Sequence, residues 1–168
     1  MIANDKFQKH YQESLTVSAK PSEIFAFADN HHNFSSHMNQ SSWMMLGGKM
    51  ETNTDEGKGQ KLGSHITMSG NILGRKLFLD EVITRHQPLY FKEWQTVGEI
   101  NLLVVDHYKL GFEIKPDDQK SIITVFIYYN LPKVGISKLL GQVFGGMYAR
   151  WCVRQMLNGI KNHFNQIY

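Results

Sequence analysis

The residues best suited to acid–base chemistry in this chain are Asp106 and Tyr108, two positions apart in the apolar run 102–114. If this run is a β-strand, alternate side chains share a face, and both polar groups then lie among apolar neighbours. A carboxyl group in such surroundings is paired or has a raised pKa, and beside a tyrosine it can act as a general acid or base. The sequence favours the alternative, in which Asp106 is solvated at a strand end or pairs with an arginine such as Arg150.

The carboxyl groups of the predicted strand 75–87 carry a weaker signal. Asp80 shares a face with His86, and Glu81 shares the other face with Arg85. Opposite charges on one face of a strand are typical of solvated pairs. We therefore expect both carboxyl groups to be exposed and paired.

The histidines and the cysteine do not form a recognisable metal or nucleophile site. His31, His32 and His37 lie close together, but neither an H-E-x-x-H motif nor a second cysteine accompanies them. Their polar surroundings predict that His31 and His32 are solvated. Cys152 is expected in the middle of a helix, as a small buried apolar residue rather than a nucleophile. The sequence predicts no metal site and no cofactor.

Large, adaptable apolar side chains are numerous: eight Met, ten Phe, seven Tyr and three Trp. Such residues fill a core or line a ligand pocket, and strand alternation does not separate the two interpretations. The inward faces of the predicted strands and of the last helix nevertheless define a candidate ligand-binding set, with the inward faces of strands 90–98 and 120–131 left open. This set comprises Met68, Trp94, Asp106, Tyr108, Phe112, Phe126, Tyr128, Met147 and Trp151.

Periodicity predicts the elements that would position these side chains. A strand at 11–19 is followed by a helix beginning at Pro21 and by a short helix or turn within 30–38. Apolar residues at spacings of three and four predict one long helix over 136–165, with a kink at Gly145–Gly146. Between them, short connections favour an antiparallel meander of six strands, at about 43–51, 61–72, 75–87, 90–98, 102–115 and 120–131.

Length and composition restrict the class of protein. A chain of 168 residues, 42% of them apolar and 20% charged, is expected to form a single domain that buries its own core. The net charge of +3 shows no strong cluster, so nucleic acid is not an expected partner. The single cysteine excludes an internal disulfide framework. We expect a cytoplasmic protein, because neither a signal peptide nor a membrane-spanning apolar run is recognisable.

Four local patterns accompany this order of elements. They are Val17–Phe25 with Asp29, Gly57-x-Gly59-x-x-x-Gly63, Gln87–Pro88, and Tyr128 with Leu131–Pro132. With the element order, they resemble the START-related helix-grip superfamily, also called SRPBCC, which includes pollen-allergen-like proteins, polyketide cyclases and lipid-transfer domains. The resemblance covers about residues 10–165 of a single domain, 1–168. Patterns of this kind specify a fold better than a function.

The resemblance implies an α+β fold, in which a curved, seven-stranded antiparallel sheet wraps round a long C-terminal helix and two short helices follow the first strand. It also implies a cavity that binds a hydrophobic small molecule or lipid. We expect this cavity between the sheet and the last helix, reached near Gly145–Gly146 and the loops that connect the strands. Binding without catalysis is the favoured function. The alternative is a polyketide cyclase or dehydratase that uses Asp106 and Tyr108 in the same cavity. Basic residues on the last helix leave peripheral contact with a membrane surface as a third hypothesis.

Overall fold

An antiparallel sheet of seven strands forms the body of the molecule in the computed structural model, which describes residues 7–34, 50–72 and 74–165. The elements are β1 (Lys9–Val17), α1 (Pro21–Asp29), α2 (His31–Phe34), β2 (Met50–Thr54), β3 (His65–Ile72), β4 (Arg75–Gln87), β5 (Phe91–Asn101), β6 (Tyr108–Asp117), β7 (Lys120–Tyr129) and α3 (Gly135–Asn165). The strand order is β1-β7-β6-β5-β4-β3-β2. The sheet is curved and holds the long α3, which confirms the predicted helix-grip architecture.

The first helix begins where its start signals lie in the sequence. Pro21 occupies the first turn, and the Glu23 carboxylate accepts a hydrogen bond of 2.8 Å from the Lys20 N–H. Both features favour a helix N-terminus, because the first-turn N–H groups have no partner within the helix. Its buried face, which packs over the inner side of the sheet, consists of Ile24, Phe25 and Ala28.

A buried ion pair ties the end of α1 to the sheet. Lys92 on β5 is 1% exposed, and its Nζ lies 2.8 Å from Asp29 Oδ1 and donates to the Asp29 carbonyl oxygen at 2.7 Å. His86 Nε2 lies 2.9 Å from the same carboxylate oxygen. Burial lowers the pKa of Lys92, and the hydrogen bond and charge of Asp29 oppose that shift. The cation also lies at the C-terminal end of α1, where the helix dipole favours positive charge.

Alternation along the central strands decides which face points to α3. The inward residues of β6 and β7 are buried, whereas their outward neighbours on β7 are only half-buried. This settles the face of 120–131 that the sequence left open. On β5, the inward residues include Lys92, Trp94 and Thr96. The buried inward residues of β6 and β7 are Tyr108, Leu110, Phe112, Ile114, Ile123, Val125, Ile127 and Tyr129.

Two expected strands differ from the observed ones. Most of the expected strand 43–51 lies outside the described residues, which resume at Met50. The expected strand 102–115 is wrong in its first part, since 102–107 is a loop and β6 begins at Tyr108. Apolar alternation suits a strand, but it suits a buried loop equally well. Here the Asp106 N–H donates to the Asn130 carbonyl oxygen, which holds the loop against the β7–α3 connection.

Glycines of α3 provide the surface on which this loop packs. A Cβ atom on Gly141 would lie 2.6 Å from Pro132 Cδ, and one on either Gly141 or Gly145 would lie 3.0 Å from the Val104 carbonyl oxygen. The helix continues without a break through Gly145–Gly146. The glycine pair, where the sequence predicts a kink, thus lies where the backbone of the 102–107 loop closely approaches α3.

Candidate ligand-binding site

A small cavity lies between the inward face of the sheet and α3. Its volume of about 30 Å³ is enough for roughly one water molecule. Most of its wall is apolar, and the polar groups come from α2, β4, β6 and α3. Its described lining residues are His31, Met68, Leu79, Glu81, Trp94, Leu102, Val105, Tyr108, Leu110, Ile127, Tyr148, Cys152 and Met156.

Glu81 is the central polar residue of this cavity. It is 2% exposed, and its Oε1 accepts a hydrogen bond of 2.5 Å from the Tyr108 hydroxyl. His31 Nε2 lies 3.7 Å from Glu81 Oε2, which has no hydrogen-bond partner among the described residues. Loss of solvation raises the pKa of Glu81 to about 7, although the Tyr108 hydroxyl and the Trp94 indole oppose the shift. The carboxyl group can therefore take up or release a proton near neutral pH.

Tyr108, Tyr148 and Cys152, which also line the cavity, are neutral at ordinary pH. Burial raises the pKa of Tyr108 and of Tyr148 well above the usual tyrosine value. Burial likewise raises the pKa of Cys152 to about 12. A thiol of this kind is not a nucleophile at neutral pH. The prediction that Cys152 is a small buried residue is confirmed.

An open groove of about 410 Å³ adjoins the cavity at the end of the sheet, beside the first turn of α3. Arg75, Asn101 and Asp106 contribute its polar groups, and the segment 132–137 forms another part of its wall. Leu102 and Val105 line both the groove and the cavity. These two side chains of the 102–107 loop therefore lie between the groove and the smaller cavity.

Three residues of the candidate ligand-binding set line the cavity: Met68, Trp94 and Tyr108. Phe112 is fully buried and meets the edge of Phe25 at 5.7 Å between ring centroids, so its side chain is part of the solid core. Neither it nor Trp151 is among the described lining residues. Trp151 is half-buried, 5.8 Å between ring centroids from Tyr148.

Phe126 and Tyr128 lie on the outer face of the sheet, so their expected place on the cavity wall was wrong. Phe126 stacks on Phe91 with ring centroids 5.8 Å apart, and Tyr128 stacks on His10 at 4.3 Å. Gly111 makes room for this arrangement, since a Cβ atom there would lie 2.7 Å from Phe126 Cζ. Both faces of β7 are apolar because aromatic residues pack on one another outside the sheet as well as inside.

Met147 and Asp106 also lie away from the cavity. Met147 is exposed on α3, because the opposite side of the helix faces the sheet. Asp106 lies in the 102–107 loop, lines the groove, and contacts His107 Nδ1 at 3.0 Å. The strand assumed for 102–106 does not form, so the structure does not bring Asp106 into the cavity lined by Tyr108.

Sequence reasoning missed Glu81 and His31, which it expected to be solvated. Glu81 lies at alternate positions with the apolar Leu79 and Ile83 along one strand, so the three side chains share a face. This alternation was a usable signal that Glu81 points inward. A register shift between Ile83 and Arg85 then puts Arg85 on the other face from Glu81. No local pattern marks His31, whose ring is buried 5.5 Å from that of Trp94 by the packing of α2 on the sheet.

Within residues 7–34, 50–72 and 74–165, no three His, Cys, Asp or Glu side chains come together as ligands for a metal ion. None of the helices described there combines the length and apolar character needed to cross a bilayer.

Comparison with solved structures shows the class of fold. The chain has the helix-grip fold of SRPBCC-type proteins. It is similar to TTHA0849 from Thermus thermophilus, with a TM-score of 0.66 and 12% identity over 95% of this chain and 99% of that one. No family profile and no curated protein sequence matches the chain.

Two further similar structures bear names that indicate their origin or activity. The major latex-like protein of Panax ginseng superposes with a TM-score of 0.59 and 13% identity, covering 93% of this chain and 97% of that one. The Zhui aromatase/cyclase of Streptomyces superposes with a TM-score of 0.60 and 8% identity, covering 91% of this chain and 93% of that one. At these identities the likeness concerns the fold.

Proposed function

We propose that the protein binds a hydrophobic small molecule or lipid between the sheet and α3, with a polar end of the ligand directed to Glu81. The observation that carries this proposal is the buried Glu81 carboxyl, one oxygen of which has no hydrogen-bond partner among the described residues. Ligand sites combine apolar walls with a few polar groups that orient the ligand. A hydroxyl or amine of the ligand would supply the missing donor.

The ligand would occupy more than the small cavity. Small-molecule sites commonly measure about 300–1,000 Å³, whereas the cavity holds about 30 Å³ and the adjoining groove about 410 Å³. Displacement of Leu102 and Val105 would join the two spaces. The apolar part of the ligand would then extend from Glu81 towards the first turn of α3, past the Val104 carbonyl that contacts Gly145.

Bound material and a matched pair of ligands test the proposal. Native mass spectrometry of the gently purified protein should detect a co-purifying apolar compound. A long-chain alcohol and the alkane of equal length should both bind. Glu81→Leu should weaken binding of the alcohol by about three- to tenfold, the effect of one lost hydrogen bond, without weakening binding of the alkane. Glu99→Leu, at an exposed position on β5, is the control. Absence of binding by both probes would contradict the proposal.

A second candidate function is cyclase- or dehydratase-like catalysis in the same cavity. The raised pKa of Glu81, about 7, favours it because a general acid or base works best with a pKa near the working pH. Glu81 would exchange the proton, and Tyr108 would orient its carboxyl group. This assignment replaces Asp106, which lies in the groove. Product analysis with a linear poly-β-ketone substrate should show turnover that Glu81→Gln abolishes, and equal conversion by both proteins would exclude this role.

A further inference from the structure

The first half of α3 exposes large apolar side chains. Ile136, Leu139, Val143 and Met147 follow at spacings of three and four, so they lie along one side of the helix, with Phe144 beside them. We call these five residues the apolar stripe. Each is 40–66% exposed.

The side of α3 opposite the apolar stripe already faces the protein. It carries the buried small residues Gly141, Gly145 and Ala149, which permit the close approach of the 102–107 loop and the β7–α3 connection. The large apolar side chains of these turns therefore contribute little to the core. A contiguous exposed apolar surface on a folded domain is typical of a site that contacts a partner or a membrane.

The charges around the apolar stripe indicate an anionic partner. From residue 119 to the end of the sequence there are six Lys and Arg residues and no Asp or Glu. Lys133 and Lys138 are exposed near the first turn of α3, and Arg150 is exposed just beyond Met147. The described lining of the adjoining groove includes one acidic side chain, Asp106, and two basic ones, Arg75 and Lys133.

We propose that the apolar stripe docks the protein on an anionic lipid surface. An interfacial helix buries its apolar side at the boundary of headgroups and acyl chains, while neighbouring Lys and Arg side chains attract the lipid phosphates. A second copy of this chain is a poorer occupant, because two such faces would bring the lysines of both copies together. Docking would also place the groove, whose wall includes Val134 and Ile136, beside the lipid. The proposal does not depend on the identity of the ligand.

The chain offers a matched control for this surface, because a Lys-Leu dipeptide with an exposed leucine lies both at 138–139 and at 61–62. Leu139 belongs to the apolar stripe and Lys138 precedes it, whereas Lys61–Leu62 lies in the β2–β3 loop, at the other end of β3 from the groove. Leu139 is 62% exposed and Leu62 is 70% exposed. Substitutions at the two sites therefore change charge and apolar area almost equally, with little cost in folding.

Co-sedimentation measures docking on vesicles of phosphatidylcholine mixed with phosphatidylglycerol, and on vesicles of phosphatidylcholine alone. The wild-type protein should bind the anionic vesicles more tightly than the neutral ones, and this binding should weaken as the salt concentration rises. Leu139→Glu should weaken this binding by about tenfold or more, the effect of removing one buried leucine from the interface. Lys138→Gln should weaken it by about fivefold. Leu62→Glu and Lys61→Gln should leave it nearly unchanged.

Three results would overturn the proposal: no binding to anionic vesicles at low salt, equal losses of binding from substitutions at 138–139 and at 61–62, or a dimer that Leu139→Glu converts to a monomer. The last would identify a second copy as the occupant of the apolar stripe. Nile red binding without vesicles, measured on every variant, keeps this test separate from the ligand-binding proposal.

Discussion

Glu81 is the residue whose protonation changes the interior of the cavity. Its folded pKa of about 7 lies above the ordinary value of 4.5, so the folded protein binds this proton more tightly than the unfolded chain does. The stability that the proton contributes is complete below pH 4.5 and is lost as the pH rises to about 7. A shift of this size corresponds to about 3 kcal/mol.

Replacement of Glu81 by Gln should therefore stabilise the protein at high pH. The neutral amide retains an oxygen for the Tyr108 hydroxyl and removes the buried charge that forms above pH 7. Thermal denaturation should show Glu81→Gln melting above wild type at pH 8, with the difference largely absent at pH 5. Glu99→Gln, at an exposed position, should show no such pH dependence. If Glu81→Gln changed the melting temperature equally at pH 8 and pH 5, this would contradict the raised pKa of Glu81.

The buried Asp29–Lys92 pair gives a second prediction at this scale. Asp29→Asn leaves the Lys92 ammonium buried without its counter-ion, which should cost about 3 kcal/mol of unfolding free energy. Glu113→Gln removes a solvent-exposed ion pair with Lys115 and should cost less than about 1 kcal/mol. Urea denaturation of both variants measures the difference. Similar losses would show that burial of the Asp29 pair has no energetic consequence.

Most elements follow from local sequence, because their signals lie within a few neighbouring residues. Pro21 marks the start of α1, and Gly135 begins a helix whose apolar spacing is visible over its whole length. The 102–107 segment is different, because the same apolar residues could form a strand or a buried loop. Its conformation depends on Gly141 and Gly145, which are distant in sequence and near in space.

The glycines of α3 should respond in opposite directions to substitution by alanine. Gly141→Ala places a methyl group 2.6 Å from the rigid Pro132 ring, and relief of this overlap should cost about 1–3 kcal/mol. At Gly159, nothing lies within 4 Å of an added Cβ, so Gly159→Ala should stabilise the helix by about 0.5–1 kcal/mol. Chemical denaturation of both variants distinguishes the effect of close packing at Gly141 from the effect of helix propensity alone at Gly159. Stabilisation by Gly141→Ala would show that the loop does not need this glycine.

At the scale of the whole molecule, one loop separates the small cavity that contains Glu81 from the larger groove. Leu102 and Val105 form that separation, and both belong to the 102–107 loop. Access to Glu81 from the groove thus depends on how readily this loop leaves α3. The same end of the molecule carries the apolar stripe, so binding of a ligand and docking on a lipid surface would take place side by side.

Truncation of Leu102 should open this separation. In Leu102→Ala, the cavity and groove become continuous, so an apolar dye such as Nile red should associate faster than with wild type in stopped-flow fluorescence. Loss of the half-buried side chain should cost about 2 kcal/mol of stability. Leu62→Ala, at an exposed position far from the groove, should change neither the rate nor the stability. Unchanged dye association in Leu102→Ala would mean that ligands reach the cavity by another route.

The sequence by itself determined the class of fold, the order of the elements and most of their bounds, because hydrophobic periodicity and turn residues act over short distances. It also placed Met68 and Tyr108 on inward strand faces, whereas it left the face of Trp94 open. Only the tertiary structure decided that Glu81 and His31 meet in this cavity and that Phe126 and Tyr128 face outward. Those outcomes depend on strand register, on a shift within the β4–β5 ladder and on the distance between sheet and helix. None of these is encoded by residues that are neighbours in the chain.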